Sequence, residues 1–272
     1  MRPIDRQRTM VTWLPLVILL VVWEAAGRLW AAPLLFPWPS HILLISMPSL
    51  ALFGGAPEPD WLGALATVAV QLAVTTWRIV VGLSLGTVAG FTIGIATYGL
   101  GRRCLNGSLL LILLRSVPLF GLIPLFVLWF GGRESGVWAY IAFSTAVVVA
   151  TGVQQAMANV PSAWLLQARL LGAGPMQRLG TVMLPAILPE LKGTARNALG
   201  LAWAFSLGAE YAGAGDGLGY LVYLSYTYAD MGKLVVLALV YCVSGQVVFW
   251  VWKGWSERIA AWSQPHGLEG RT

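Results

Sequence analysis

The chain has 272 residues, of which 58% are hydrophobic and only 10% are charged, and its formal net charge is +6. This composition excludes a water-soluble globule of the same length, because large apolar patches would stay exposed to water. The excess positive charge is better explained by membrane topology than by nucleic-acid binding. The chain is therefore predicted to be an all-α integral membrane protein.

Six windows of the sequence are long and apolar enough to cross a hydrocarbon core of roughly 30 Å as helices. The predicted spans are residues 11–30, 79–100, 109–130, 137–157, 195–214 and 234–255. The first is predicted to be a retained anchor, since its long apolar run lacks a small-residue cleavage site before Trp30. A weaker apolar segment at 61–74 is either the start of a long tilted helix or an interfacial helix.

The positive charges orient these spans, because short cytoplasmic loops are rich in lysine and arginine. One side collects Arg2, Arg6, Arg8, Arg102, Arg103, Arg169, Arg178, Lys192, Arg196, Lys253, Arg258 and Arg271. The other side carries Arg133, Lys233, Glu58, Asp60, Glu134, Asp216 and Asp230. Both termini are therefore predicted to be cytoplasmic.

Two motifs inside the spans predict how the helices pack. Gly82, Gly86, Gly90 and Gly94 recur every four residues, which places them on one helix face and lets another backbone approach closely. Packing within the chain is favoured over a dimer seam. In the third span, Pro118 and Pro124 remove backbone donors and should bend or break the helix, as often happens beside a translocation pathway.

Ionisable side chains inside a membrane are costly, so each one is a candidate for function. Arg115, next to Ser116 and Pro118, either snorkels to the headgroups or pairs within the bundle. Glu24 and Arg28 have the spacing of a structural helical ion pair. Glu210, on the same span as Ser206, is either functional or structurally hydrogen-bonded, and the glycine-rich stretch 213–221 after it suits a short re-entrant loop.

Cysteine and histidine point to no catalytic or metal site. Cys104 and Cys242 lie at or inside spans, so a disulfide is not expected, and His41 and His266 are isolated. No cluster of the kind that a membrane-embedded enzyme needs is visible.

The loop at about 158–192 forms a polar island between two apolar spans. Pro161 suits a helix start and Gly172 or Gly174 a helix end, which predicts a short helix at 161–172, and Pro175 begins another. An apolar stripe is expected on that first helix at Trp164, Leu165, Ala168, Leu171 and Gly172. The helix would dock into a groove of a soluble partner or lie on lipid.

This loop resembles the cytoplasmic coupling loop of ATP-binding-cassette (ABC) importer permeases. The family pattern is Glu-Ala-Ala, three residues, Gly, nine residues and Ile-x-Leu-Pro, and Ala168, Gly172, Leu184 and Pro185 fall in register. Leu166 replaces the family glutamate. Motifs of the nitrate, sulfonate, taurine and bicarbonate group follow in order at 34–40, 76–82, 114–118, 128–131 and 209–221, so the resemblance covers nearly the whole chain.

The resemblance implies a type I importer permease: one transmembrane domain over residues 1–272, with six spans and a cytoplasmic coupling helix. It would pair with a second permease copy, a homodimer before a heterodimer, in the inner membrane, and with two ATPase subunits and an extracytoplasmic solute-binding protein. The chain lacks a Gly-x-x-x-x-Gly-Lys-Ser/Thr phosphate loop, so ATP and Mg²⁺ would be used by the partner, with no cofactor bound here.

The resemblance also assigns site residues. ATPase coupling is expected at Leu166, Gln167, Ala168, Arg169, Gly172, Ala173, Leu184 and Pro185. The translocation path or gate is expected at Arg115, Ser116, Pro118, Ser206 and Glu210.

The solute is expected to be a small anion such as a sulfonate, nitrate or bicarbonate. Arg115 facing the pathway would favour an anion, whereas Glu210 facing it would argue against one or indicate a gate. Pyrimidine or vitamin precursors are the alternative cargo. A secondary transporter or channel is a further alternative, but it would need several intramembrane acids, inverted repeats or a filter.

Overall fold

A computed structural model describes residues 3–101, 106–131 and 134–259, and these residues are mainly helical. The main helices are α1 (Pro3–Trp30), α2 (Trp61–Gly101), α3 (Asn106–Ser116), α4 (Ile123–Phe130), α5 (Glu134–Asn159), α6 (Ser162–Leu170), α7 (Leu184–Gly213), α8 (Leu218–Thr227) and α9 (Met231–Ile259). Shorter helical segments lie at Pro39–His41, Ile42–Ser46, Pro48–Gly54, Leu119–Leu122, Pro175–Arg178 and Leu179–Met183. Five of the six predicted spans lie within single helices to within one residue, and the third is divided between two helices.

Several predicted boundaries change. The segment 61–74 is continuous with the second span in the 41-residue helix α2, which confirms the long-helix alternative. Helix α7 begins at Leu184 with Pro185 in its first turn, so the last part of the predicted loop at 158–192 is already helical. Proline is tolerated there because the first amides of a helix have no intrahelical acceptor. Seven residues named in the sequence analysis lie outside the described part of the chain: Arg2, Arg102, Arg103, Cys104, Arg133, His266 and Arg271.

The third span is broken, as its prolines predicted. Helix α3 ends at Ser116, a single 3₁₀ turn follows at Leu119–Leu122, and α4 begins at Ile123. The break falls at Pro118, whose backbone is extended, whereas Pro124 lies in the first turn of α4. The chain direction therefore changes at Pro118.

Among the described residues, three helices are both long and apolar enough to cross a membrane: Trp61–Gly99, Glu134–Asn159 and Met231–Ser256. The predicted fifth span lies in helix α7, which is long enough but is not among the helices that are apolar enough. Within that span Arg196 and Glu210 interrupt the apolar run, and such residues lower hydropathy steeply.

The chain divides into two compact units, residues 1–74 with 216–242 and residues 75–215 with 243–272. The first unit has a core of Ile42, Leu50, Ala51, Ala64, Val68, Leu218, Leu221, Val236 and Leu237. In this unit the predicted Glu24–Arg28 pair forms at 2.7 Å. Glu24 also accepts hydrogen bonds from the amide and hydroxyl of Ser40, at 3.0 and 2.7 Å. The pair therefore fixes the chain after α1.

Helix α8, in the first unit, begins within the predicted re-entrant stretch and covers its last four residues, 218–221. It is ten residues long and follows Gly217, whose φ of 96° favours glycine. The Gly217 amide donates to the Gln71 side-chain oxygen. The end of the stretch is thus part of an ordered short helix that begins at a glycine turn.

The second unit is built on close packing of α2 against α5. A Cβ added to Gly82 would lie 2.7 Å from Ile141, and one added to Gly90 would lie 2.6 Å from the Ala146 carbonyl oxygen. At Gly94 the added atom would lie 2.8 Å from the Ala150 carbonyl oxygen. The glycine face of α2 therefore lies directly on the α5 backbone within one chain, as small-residue helix faces allow.

We expect Gly86→Ala to destabilise the protein and Gly99→Ala not to. A Cβ at Gly86 would lie 2.5 Å from the Ala142 carbonyl oxygen and would clash with the Thr145 hydroxyl, whereas nothing lies within 4 Å of one at Gly99. Overpacking costs about 1–3 kcal/mol, while alanine in a helix gains up to about 1 kcal/mol over glycine. Thermal unfolding of both variants in detergent measures the difference, and equal stabilities would contradict the packing.

Candidate coupling loop and polar cavity

The loop between α5 and α7 presents a short helix whose end is fixed by a glycine. Helix α6 ends at Leu170, and Gly172 follows with a φ of +85°. The Gly172 amide donates to Arg169 O at 3.0 Å, and the Ala173 amide donates to Ala168 O at 2.9 Å. These two bonds define a Schellman motif, in which glycine avoids the strain that a side chain would bring. Gly172 therefore reverses the chain here.

One face of α6 is held against the protein and the other is open. Leu165 packs against a buried cluster formed by Val149, Val153, Ala156, Met157, Met183, Ile187 and Ala198. By contrast, Leu166 is 57% exposed and Leu171 is 88% exposed. Leu171, a member of the predicted apolar stripe, follows the end of the helix at its C-cap and stays on the open side.

The predicted coupling residues divide between the open surface and the base of the loop. Gln167, Arg169, Gly172 and Pro185 are exposed, and Ala168, Ala173 and Leu184 are half-buried. Exposed apolar side chains next to this set are Leu170 and Met176. Exposed apolar groups on a short rigid helix suit contact with another protein.

The base of the loop is closed by contacts between its two flanking helices. The Asn159 side-chain amide, at the end of α5, donates to Glu190 Oε1 of α7 at 2.7 Å. The π-helical segment at Leu179–Met183 leads directly into α7, and Leu179 and Leu184 pack on the buried cluster. The loop is therefore joined firmly to both α5 and α7.

Arg78 is the centre of a buried ion-pair network at the other end of α5 and α7. Its Nη1 donates to Glu210 Oε1 at 3.1 Å, and its Nε donates to both oxygens of Glu134 at 3.1 and 3.0 Å. Thr75 Oγ1 donates to Glu210 Oε2 at 2.9 Å. Arg78 is 2% exposed and Glu210 is fully buried, while 44% of the Glu134 side chain is exposed.

Glu210 is structurally hydrogen-bonded, which was one of its two predicted alternatives. The central role of Arg78 in the network was not predicted. Sequence reasoning did not single out Arg78, which stood only within the family motif at 76–82, and it counted Glu134 only as a loop charge. Arg78 follows the start of α2 by 17 residues, or about 26 Å of helix. Joining the segment 61–74 to the second span would have signalled an arginine well inside a long helix. Ser206 is also buried and donates to Trp203 O.

A polar cavity of about 770 Å³ lies in the second unit and contains Arg115 in its wall. Helix α5 contributes Thr151 and Gln155, and α7 contributes Thr194, Arg196 and Asn197. Helix α9 adds Gln246 and Phe249. Of the expected pathway residues, only Arg115 is in this lining, while Ser116 and Pro118 are exposed nearby in sequence and Ser206 and Glu210 are buried.

Truncating Glu210 is expected to destabilise the protein far more than truncating Glu190 on the same helix. Glu210→Ala removes one of the two carboxylates that pair with the buried Arg78 and leaves Glu134, so its cost should approach the value of about 3–5 kcal/mol that is typical of an unpaired buried charge. Glu190 is exposed and bonded to Asn159, so Glu190→Ala should cost about 0.5–1.5 kcal/mol. Unfolding in detergent tests this, and a Glu210→Ala loss no larger than the Glu190→Ala loss would contradict the network's role.

Comparison with known proteins agrees with this architecture. Residues 82–259 match the family model described as "Binding-protein-dependent transport system inner membrane component". The chain is 28% identical to the putative aliphatic sulfonates transport permease SsuC of Escherichia coli, over 90% of this chain and 91% of that protein. It is 32% identical to the taurine transport system permease TauC of Escherichia coli, over 81% and 77% of the two chains.

A solved structure shows the same fold. An inward-facing MetNI methionine ABC transporter aligns with a TM-score of 0.62 and 21% identity, covering 74% of this chain and 98% of that one. With the family match over most of the chain, this establishes a multi-pass membrane protein and a transport permease subunit. The chain therefore belongs to the binding-protein-dependent type I ABC importer permeases, in the sulfonate, taurine and nitrate group.

Proposed function

We propose that this chain forms the translocation path of an ATP-driven importer for a small anion, with α6 as the helix that receives the movement of the ATPase. The observation that carries the proposal is the exposed helix α6, fixed by the Gly172 turn and anchored to both α5 and α7. A rigid projection joined to two long helices transmits a push along them. A flexible loop would absorb it.

The driving force comes from a partner. The sequence contains no phosphate-binding loop of the Gly-x-x-x-x-Gly-Lys-Ser/Thr type, so two ATPase subunits would hold ATP and Mg²⁺ while this chain binds no cofactor. Their closure would press two α6 helices together and rock two permease copies as rigid bodies, which is alternating access. We propose a homodimer, supplied with solute by an extracytoplasmic binding protein.

The orientation follows the charge pattern. The loop that carries α6 contains Arg169 and Arg178, and short loops rich in arginine face the cytoplasm. We therefore propose that α6 faces the cytoplasm, where the ATPases would lie, and that both termini lie on the same side. The residues 1–272 then act as a single transmembrane domain of the inner membrane.

The proposal of an anionic solute is supported by the positions of Arg115 and Glu210, which the sequence did not determine. Arg115 lines the polar cavity, whereas Glu210 is fully buried against Arg78 and Thr75. The cavity wall is therefore positive at Arg115, and the acid that would oppose an anion is enclosed elsewhere. Two relatives are described as transporting aliphatic sulfonates and taurine, and these solutes share the sulfonate group that Arg115 would bind.

The proposal is tested by purifying the chain in nanodiscs with its candidate ATPase and measuring ATP hydrolysis with and without the binding protein. We expect a stable complex whose hydrolysis rises with loaded binding protein. Failure of any ATPase to associate after co-expression would contradict the coupling role of α6.

We expect Gly172→Glu to abolish transport while membrane insertion stays normal. The substitution forces a side chain into a backbone conformation with φ of +85°, which costs about 1–2 kcal/mol, and it places a charge at the proposed ATPase contact. Gly172→Asn is the matched variant, because asparagine tolerates this conformation and adds no charge.

The measurement is ATP-dependent uptake at equal membrane expression, together with co-purification of the ATPase. Asn at position 172 should retain more uptake than Glu. Normal uptake by Gly172→Glu would remove Gly172 from the coupling mechanism.

A further inference from the structure

We infer that the polar cavity is a solute-binding site of the permease itself, in which Arg115 and Arg196 bind an oxyanion. A solute that also carries an ammonium group binds more weakly there. The inference rests on the proposed function and deepens it. The solute class is an organic oxyanion whose remaining part is uncharged, and the permease adds its own selection to that of a binding protein.

The two arginines come from separate helices. Arg115 lies in the last turn of α3 and Arg196 lies on α7, and both line the cavity. In the described part of the chain, neither guanidinium forms an ion pair, in contrast to Arg28 and Arg78. A guanidinium offers a planar set of donors that matches the oxygens of a sulfonate or carboxylate.

Neutral donors surround these charges. Gln155 on α5, Asn197 on α7 and Gln246 on α9 carry amide groups that line the cavity, and each amide has two N–H donors. Thr151 already donates its hydroxyl to the Val147 and Val148 carbonyls, so the amides are the better candidates for contact with an anion. Oxyanion sites in proteins combine a charged group with neutral donors in this way.

The remaining wall is apolar and suits an organic substituent. Leu119, Val147, Leu201 and Phe249 line it. A Cβ added to Gly200 would lie 3.1 Å from the Phe249 ring, so glycine keeps this side open. The cavity, at about 770 Å³, has room for a hydrated anion with a short carbon chain.

The same charges disfavour an ammonium group. Arg115 and Arg196 both repel a cation, and because both side chains are exposed this repulsion is screened by water and salt and is strongest at low ionic strength. Among the described residues that line the cavity, none is Asp or Glu. Glu210 is enclosed by Arg78 and Thr75, and Glu190 is bonded to Asn159. A zwitterion therefore gains the anion contact but meets repulsion at its other end.

Isethionate and taurine test this directly, because they differ mainly in a hydroxyl against an ammonium on the same two-carbon sulfonate. Equilibrium binding of radiolabelled isethionate and taurine is measured on the full chain in nanodiscs of zwitterionic lipid, at constant ionic strength and without binding protein. We expect saturable isethionate binding that is at least tenfold tighter than taurine binding.

Three variants assign the site. Arg196→Gln should weaken isethionate binding at least tenfold, whereas Arg196→Lys keeps the charge and should retain part of the affinity. Lys253→Gln removes an exposed cation of α9 that is outside the cavity lining and should bind as the unaltered chain does. Equal binding of isethionate and taurine, or unchanged binding by a folded Arg196→Gln protein, would overturn the inference.

The outcome is separable from that of the proposed function. Isethionate binding by the permease without any associating ATPase would support the site and reject the importer mechanism. An ATPase complex with stimulated hydrolysis but no measurable isethionate binding would support the importer and reject the site.

Discussion

Arg78 carries a full positive charge into the protein interior, and the packing of the second unit is arranged around it. A buried charge is tolerated only when it is paired and its donors are satisfied. Glu134 at the start of α5 and Glu210 near the end of α7 provide the two carboxylates. Because both acids depend on one guanidinium, α2, α5 and α7 must meet at this point. The glycine face of α2 then lets its backbone follow α5 closely beyond the network.

The network and the coupling loop lie at opposite ends of the α5 and α7 pair. Helix α5 has 26 residues and is about 39 Å long, with Glu134 at one end and the loop of α6 at the other. Between them, Thr151 and Gln155 of α5 face the same cavity as Thr194 and Arg196 of α7. A displacement of α6 therefore acts on the two helices that also carry most of the cavity's polar wall. This arrangement gives the proposed transport cycle a physical path from the loop to the solute.

The structural effects of single proline and glycine residues were the most predictable from the sequence. Pro118 cannot donate a backbone hydrogen bond, so the break in the third span follows from the residue itself. Gly172 and the glycine face of α2 are similar cases, because the lack of a side chain restricts what each position can do. Helix spans follow from the lengths of the apolar runs, although helix α7 already starts at Leu184, ahead of the predicted span that begins at Ala195.

Pairing over long sequence separations was not predictable. Arg78 lies 56 residues from Glu134 and 132 from Glu210, and local pattern carries no information about such partners. Arg196 was counted with the cytoplasmic charges, but packing of α3, α5, α7 and α9 makes it part of a cavity wall. Its position depends on how four helices are rotated about their axes, which a single sequence does not specify.

The central claim, that an ATPase drives solute through this chain, is tested most directly by uptake in proteoliposomes. The vesicles contain the permease and its ATPase, with loaded binding protein outside, ATP enclosed and a labelled organic sulfonate as solute. We expect accumulation that requires ATP hydrolysis and persists when ion gradients are collapsed. Accumulation that does not depend on ATP but stops when a proton or sodium gradient is removed would contradict ATP-driven import and identify a secondary transporter.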